Sequence, residues 1–282
     1  MSGDANEDDD IPRRRPFVGR VGAGAKRRLQ SLSFNRILPN ILTLLAMCAG
    51  LTAIRYGIAG QWERAVLAIV VAAMLDGVDG RLARLLRSTS DFGAQLDSLA
   101  DAVSFGVAPA LLMFLWVMHD AGGVGWALSL LHAVCAVLRL ARFNTMVGEP
   151  DLPHWAHNYF TGVPSPAGAG IAIMPLIFWL YTDSEFFASP IVAGAFLLTS
   201  SILMVSRVPV FAGKHLRLKP QHALMLMVGV IAVVGFLVTD PWPTLSILGI
   251  LYLASIPLSV VSFRRLQAHA AATATDTPPN PL

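Results

Sequence analysis

From about residue 37 the chain reads as long apolar runs separated by short polar breaks. Eight runs have the length and apolarity of membrane-spanning helices, at 41–58, 63–86, 93–118, 124–145, 163–182, 186–211, 221–239 and 243–263. The RSTSD break between the second and third runs is short enough to make those two helices antiparallel neighbours. The pattern predicts an all-α, polytopic helical bundle. The flanks differ in kind. MSGDANEDDDIPRRRPFVGRVGAGAKRRLQ passes from acidic to basic with Gly and Pro throughout, and HAAATATDTPPNPL is low in complexity, so both are expected to be disordered tails. No cleaved signal is expected, because the first apolar run continues as a full span.

Composition agrees with the pattern. Of 282 residues, 55% are hydrophobic and 14% charged, against about 25% charged in an ordinary soluble domain. The mean hydropathy is +0.60. An integral membrane protein is implied and a soluble domain is excluded. The net charge of +3 says little, but the placement of the cations says more. Threading eight spans puts Arg13–Arg15, Arg20, Lys26–Arg28, Arg36, Arg81, Arg84, Arg87, Arg139, Arg142, Arg207, Lys214, Arg217, Lys219, Arg264 and Arg265 on one side. The opposite loops carry Asp120, Asp183, Glu185 and Asp240, with Arg55 and Arg64 as basic exceptions. By the positive-inside rule the cation-rich side, with both termini, is cytoplasmic. Cys48 and Cys135 fall inside apolar runs and are expected to be small core residues, neither disulfide-bonded nor metal-bound. No internal repeat argues for an inverted-repeat transporter.

The one conspicuous polar interruption is DGVDGRLARLLRSTSDFGAQLDSLAD, residues 76–101, between two of the most apolar runs. On a helix, Asp76, Asp79, Gly80, Ala83 and Arg84 share one face, and Gly93, Asp97 and Asp101 share a face of the next. A short turn between them lets the two acidic faces converge. Asp91 lies in that turn, where a helix cap is expected. An ionised Asp in the middle of a span costs about 2.5–3.5 kcal/mol, so four uncompensated ones would cost on the order of 10–14 kcal/mol. Placement near the cytoplasmic helix ends lowers this, and so would a hard divalent cation. Four carboxylates without His or Cys suit Mg²⁺ or Mn²⁺ and not zinc. Arg84 offers a planar fork to phosphate, and Gly80 and Gly93 leave room for a ligand or a neighbouring backbone. The chemistry natural to this set is phosphoryl-type transfer on a metal-bound diphosphate. The bland alternative makes Asp76 or Asp79 a structural partner of Arg84.

These residues also form a complete motif, D-x-x-D-G-x-x-A-R-x8-G-x-x-x-D-x-x-x-D, and in it the chain resembles the CDP-alcohol phosphatidyltransferase family. The resemblance implies a six-helix core, here followed by two extra C-terminal helices, and two divalent cations, Mg²⁺ or Mn²⁺. It implies Asp76, Asp79, Asp97 and Asp101 as metal ligands, with Asp101 also the catalytic base. Gly80, Arg84, Ser90 and Gly93 would sit against CDP-diacylglycerol, joined by Asn40 and Thr43 of PNILT; the plain alternative for PNILT is Pro39 opening a helix with Asn40 and Thr43 as caps. The division expected is a tail over 1–32, a catalytic membrane domain over 33–265 and a tail over 266–282.

Within the family, residues 89–110, 137–144, 160–170 and 204–215 resemble the membrane-embedded phosphatidylserine synthases. That implies CDP-diacylglycerol and L-serine as substrates in a prokaryotic cytoplasmic membrane, with the active site on the cytoplasmic face. A homodimer is compatible and no nucleic-acid partner is expected. Arg139, Arg142 and Asn144 end the fourth run on that face and are candidates for holding the serine carboxylate; as positive-inside residues the arginines could equally anchor the helix at lipid headgroups. Alternatives are another acceptor alcohol (inositol phosphate, glycerol phosphate, choline), an intramembrane prenyltransferase, or an ion-coupled transporter.

Overall fold

A computed structural model describes residues 34–86, 90–146, 159–211 and 220–275. Each of the eight predicted runs contains a helix: α1 (Phe34–Ile58), α2 (Trp62–Leu85), α3 (Asp91–Trp116), α4 (Gly122–Met146), α5 (Ser165–Thr182), α6 (Pro190–Val205), α7 (Pro220–Thr239) and α8 (Pro241–Thr275). Among the described residues, five helical stretches are long and apolar enough to cross a membrane: Ile37–Ile58, Asp91–Trp116, Met118–Thr145, Ser165–Thr182 and Pro241–Leu266. The protein is an all-α polytopic membrane bundle. Much of its apolar surface faces outward, as on α7, where Met225 is 76% and Ile231 67% exposed. Lipid is the solvent that suits such a face.

The core forms where α1, α2, α3, α5 and α6 meet, around Val66, Ile69, Leu112, Ile173, Leu176 and Leu197. Close approach is set by small residues. On α1, Ala46, Gly50, Ala53 and Gly57 recur at helical spacing, and α3 lies against them. A Cβ at Gly50 would stand 2.6 Å from Ser104 Oγ and 2.7 Å from Ser104 Cα.

Several local expectations are corrected. The sixth run is not one helix over 186–211: α6 stops at Val205, and Pro209–Phe211 form a strand, β2, antiparallel to β1 (Tyr159–Thr161). Gly162, at φ +83°, turns the chain from β1 toward α5. The first helix begins at Phe34 and contains Pro39, so Pro39 does not open it. Ser90, not Asp91, caps α3, its Oγ accepting from the Gly93 N–H at 3.1 Å, while Asp91 sits in the first turn. Cys48 is exposed on α1 and only Cys135 is buried. α8 continues to Thr275, past the bundle end expected at 265. The N-terminal tail over 1–32 lies outside the described residues.

The third helix is not uniform. Asp91–Asp101 is α-helical, Ala102–Val107 forms a π-turn, and Ala108–Trp116 resumes the α-helix. Pro109 explains the change of pitch: it has no N–H for the carbonyl of Phe105, four residues back, and its ring crowds that oxygen. A wide turn relieves the clash.

Candidate active site

Three of the four motif aspartates converge. Asp76 of α2 and Asp97 and Asp101 of α3 each offer a carboxylate oxygen, and these atoms all lie within 4.8 Å of one another, half-buried. Asp76 and Asp101 are in hydrogen-bonding range of each other. Hard oxygen donors so close, with no His or Cys among them, fit a hard divalent cation; the same crowding without one sets like charges against each other.

Asp79 stands apart from that trio. It is 3% exposed, and Thr43 Oγ1 of α1 donates to its Oδ2 at 2.6 Å. The Thr43 hydroxyl thus spends its proton on Asp79 and is not a helix cap, while its oxygen keeps the capacity to accept. The Pro39 carbonyl lies 3.1 Å from the same hydroxyl. Asp79 remains near enough to Asp76 and Asp97 for mutual repulsion.

Beside the aspartates runs a cleft of about 160 Å³, lined by Pro39, Asn40, Thr43, Asp79, Gly80, Ala83, Ser90, Gly93, Ala94 and Asp97. Five of the six residues expected to bind the nucleotide-lipid, namely Asn40, Thr43, Gly80, Ser90 and Gly93, thus share one cavity. Gly80 opens directly onto it, since a Cβ there would meet nothing within 4 Å. At Gly93 the reason for glycine is packing: a Cβ would come within 3.1 Å of Asn40 Oδ1 and 3.2 Å of Ser90 Oγ. Arg84 is not part of the lining; it is exposed, and its Nε donates to the Gly80 carbonyl at 3.0 Å.

The three residues at the end of α4 divide. Arg139 Nη1 donates to Ser165 Oγ at 2.7 Å, and its charge acts on both Asp101 and Asp76. It alone of the three faces the acidic cluster. Asn144 Nδ2 donates to Ser98 Oγ at 2.9 Å, tying α4 to the helix that carries Asp97 and Asp101. Arg142 departs from the expectation of a serine ligand. Nη1 donates to the Val205 carbonyl at 2.7 Å, and Nη2 reaches the carbonyls of Thr161, Met204 and Ser206 at 3.3–3.4 Å. It caps the carboxyl end of α6 and ties it to β1.

Two buried polar groups were not singled out from the sequence. His132 of α4 is fully buried, and Tyr252 of α8 brings a buried hydroxyl, without a hydrogen-bond partner, to the neighbourhood of Arg139. The only signal for either was a polar group inside an apolar run.

Two family models match. One described as CDP-alcohol phosphatidyltransferase covers residues 36–212, and one described as CDP-alcohol phosphatidyltransferase 2 covers 222–257. The chain is 38% identical, over 83% of its length and 82% of the relative's, to the CDP-diacylglycerol–serine O-phosphatidyltransferase of Mycobacterium tuberculosis. It is 33% identical to the enzyme of the same name from Bacillus subtilis, over 61% of this chain and 88% of that one. It is 31% identical to the archaetidylserine synthase of Methanothermobacter thermautotrophicus, over 61% of this chain and 68% of that one.

Proposed function

The chain belongs to the CDP-alcohol phosphatidyltransferase family, and from that premise we propose that it transfers the phosphatidyl group of CDP-diacylglycerol to the hydroxyl of L-serine, releasing CMP. The observation that carries this reading is the convergence of Asp76, Asp97 and Asp101 within 4.8 Å, beside a cleft lined by the expected nucleotide contacts. The names of the relatives support serine as the acceptor.

Asp76, Asp97 and Asp101 would hold a divalent cation, Mg²⁺ or Mn²⁺, with Asp79 adding a fourth carboxylate toward a second. When bound, such a cation supplies positive charge against a diphosphate and against the CMP that leaves. The chain's own residues do the rest. Asn40, Gly80, Ser90 and Gly93 shape the cleft in which the CDP moiety lies, with the acyl chains left in the bilayer. Arg84, at its edge, has guanidinium donors beyond the one spent on Gly80 and turns them to phosphate. Asp101 accepts the serine hydroxyl proton, the serine oxygen bonds to the phosphorus bearing diacylglycerol, and the bond from that phosphorus to CMP breaks. Arg139, next to Asp101 and Asp76, faces the serine carboxylate. The site opens to the cytoplasm, where serine is drawn and CMP released, in keeping with the side on which Lys and Arg gather.

The test is purified protein with CDP-diacylglycerol, a divalent cation and labelled serine. Phosphatidylserine and CMP should appear in equal amounts, and inositol phosphate, glycerol phosphate or choline should release little CMP. CMP release with one of those and not with serine would replace the acceptor; no CMP with any alcohol would reject the reaction.

A further inference from the structure

His132 lies mid-span on α4 with 0% exposure, among apolar neighbours, and its role is set by what it touches. Its Nε2 is 3.3 Å from the carbonyl oxygen of Phe105, in the π-turn of α3. A carbonyl only accepts, so Nε2 carries the proton and the ring is the neutral Nε2–H tautomer. Nδ1 is left buried without a partner. A neutral donor kept there at the cost of an orphaned acceptor, about 1–3 kcal/mol, implies that the bond to Phe105 matters.

His132 gives the Phe105 oxygen a donor that the α-helical register cannot supply. In an α-helix that oxygen would receive the N–H of residue 109, and that residue is Pro109. The π-turn is also gripped from two sides. On the α1 side Ser104 Oγ donates to the Ala46 carbonyl at 3.2 Å, over the gap left by Gly50. On the α4 side Gly106 packs so tightly that a Cβ would stand 3.1 Å from the Ala136 Cβ, one helical turn from His132. The turn follows directly on Asp101. One extra residue in a helix rotates everything before it by about 100° relative to everything after. The second half of α3 is fixed in the core through Leu112 and Met113. The rotation of Asp97 and Asp101 about the helix axis therefore depends on the π-turn holding its register.

We propose that His132 is a positioning residue for the reaction: by donating to Phe105 it holds the π-turn of α3, which aims Asp97 and Asp101 at Asp76. This rests on the reading of those aspartates given above. A misplacement of about 1 Å at a reacting group can cost on the order of a hundredfold in rate, so the effect belongs in kcat.

The experiment compares full-length His132→Leu, His132→Gln and His132→Asn in detergent micelles, following CMP release with CDP-diacylglycerol and serine varied in turn. His132→Leu keeps the bulk and loses the donor; it should lower kcat about tenfold or more while each KM stays within about threefold. His132→Gln restores an N–H at similar reach and should recover most of the rate. His132→Leu at wild-type kcat overturns the proposal, as does His132→Gln as slow as His132→Leu. Should His132→Leu fail to elute as a single species, the Gln and Asn variants decide. Gln faster than Asn, whose shorter side chain falls short of Phe105, supports the role, and equal rates overturn it. Asp101→Asn, assayed in parallel, separates the two readings. A fully active Asp101→Asn defeats the base assignment, whereas an inactive one beside a normal His132→Leu defeats only the role of His132.

Discussion

Arg142→Ala separates a ligand from a strut. Nη1 makes one short bond at 2.7 Å, and Nη2 spreads two protons over three carbonyls at 3.3–3.4 Å. Counted as two effective hydrogen bonds from a charged donor at about 1.5–3 kcal/mol each, the gross contribution is about 3–6 kcal/mol. The site is only half-buried and water can take over part of the work, which leaves about 2–4 kcal/mol. Three of the four acceptors, Met204, Val205 and Ser206, belong to the end of α6, where carbonyls lack intrahelical partners. The variant should melt about 5–10 °C lower, read by size-exclusion recovery after heating in detergent, with KM for serine unchanged in the protein that stays folded. Arg142→Lys should recover little, because an ammonium cannot fork across several carbonyls. An Arg142→Ala protein of normal melting temperature whose serine KM rises tenfold would refute the reasoning and restore Arg142 as a substrate ligand.

Other substitutions test other contacts. Gly50→Ala drives a methyl into Ser104 and should destabilise by about 1–3 kcal/mol, with turnover falling as the π-turn shifts; unchanged melting would show that α1 and α3 are not so tightly apposed. Thr43→Val removes the donor to buried Asp79 and should cost about 1–3 kcal/mol of stability and part of the turnover, leaving serine KM in place. Tyr252→Phe deletes a hydroxyl that has no partner, so stability should hold within about 0.5 kcal/mol; a melting temperature that drops clearly would reveal a bond to Arg139 or water.

The helices were legible because spans of all-round apolarity leave few alternatives, and the aspartates because carboxylates in such spans need a reason. Asp76, Asp97 and Asp101 needed only helical spacing and one short turn to be brought together. What the sequence concealed depends on reach across the bundle. Arg139 and Arg142 stand three residues apart at one helix end, and nothing local says that the first turns to Ser165 and the acidic cluster while the second turns to α6. Asp79 looked equivalent to Asp76, yet Thr43, far away in sequence, draws it aside. The π-turn gives no periodic signal inside an unbroken apolar run, though Pro109 four residues past Phe105 was a readable cause. Strands of three residues, such as Pro209–Phe211, lie below what alternation can announce.

Binding of Mn²⁺, followed by electron paramagnetic resonance on the purified protein, addresses the acidic cluster without relying on turnover. The account predicts saturable binding by the wild-type chain that is strongly weakened in Asp76→Asn, Asp97→Asn and Asp101→Asn, each folded and monodisperse. Mn²⁺ bound equally well by all four proteins, or by none, would contradict it.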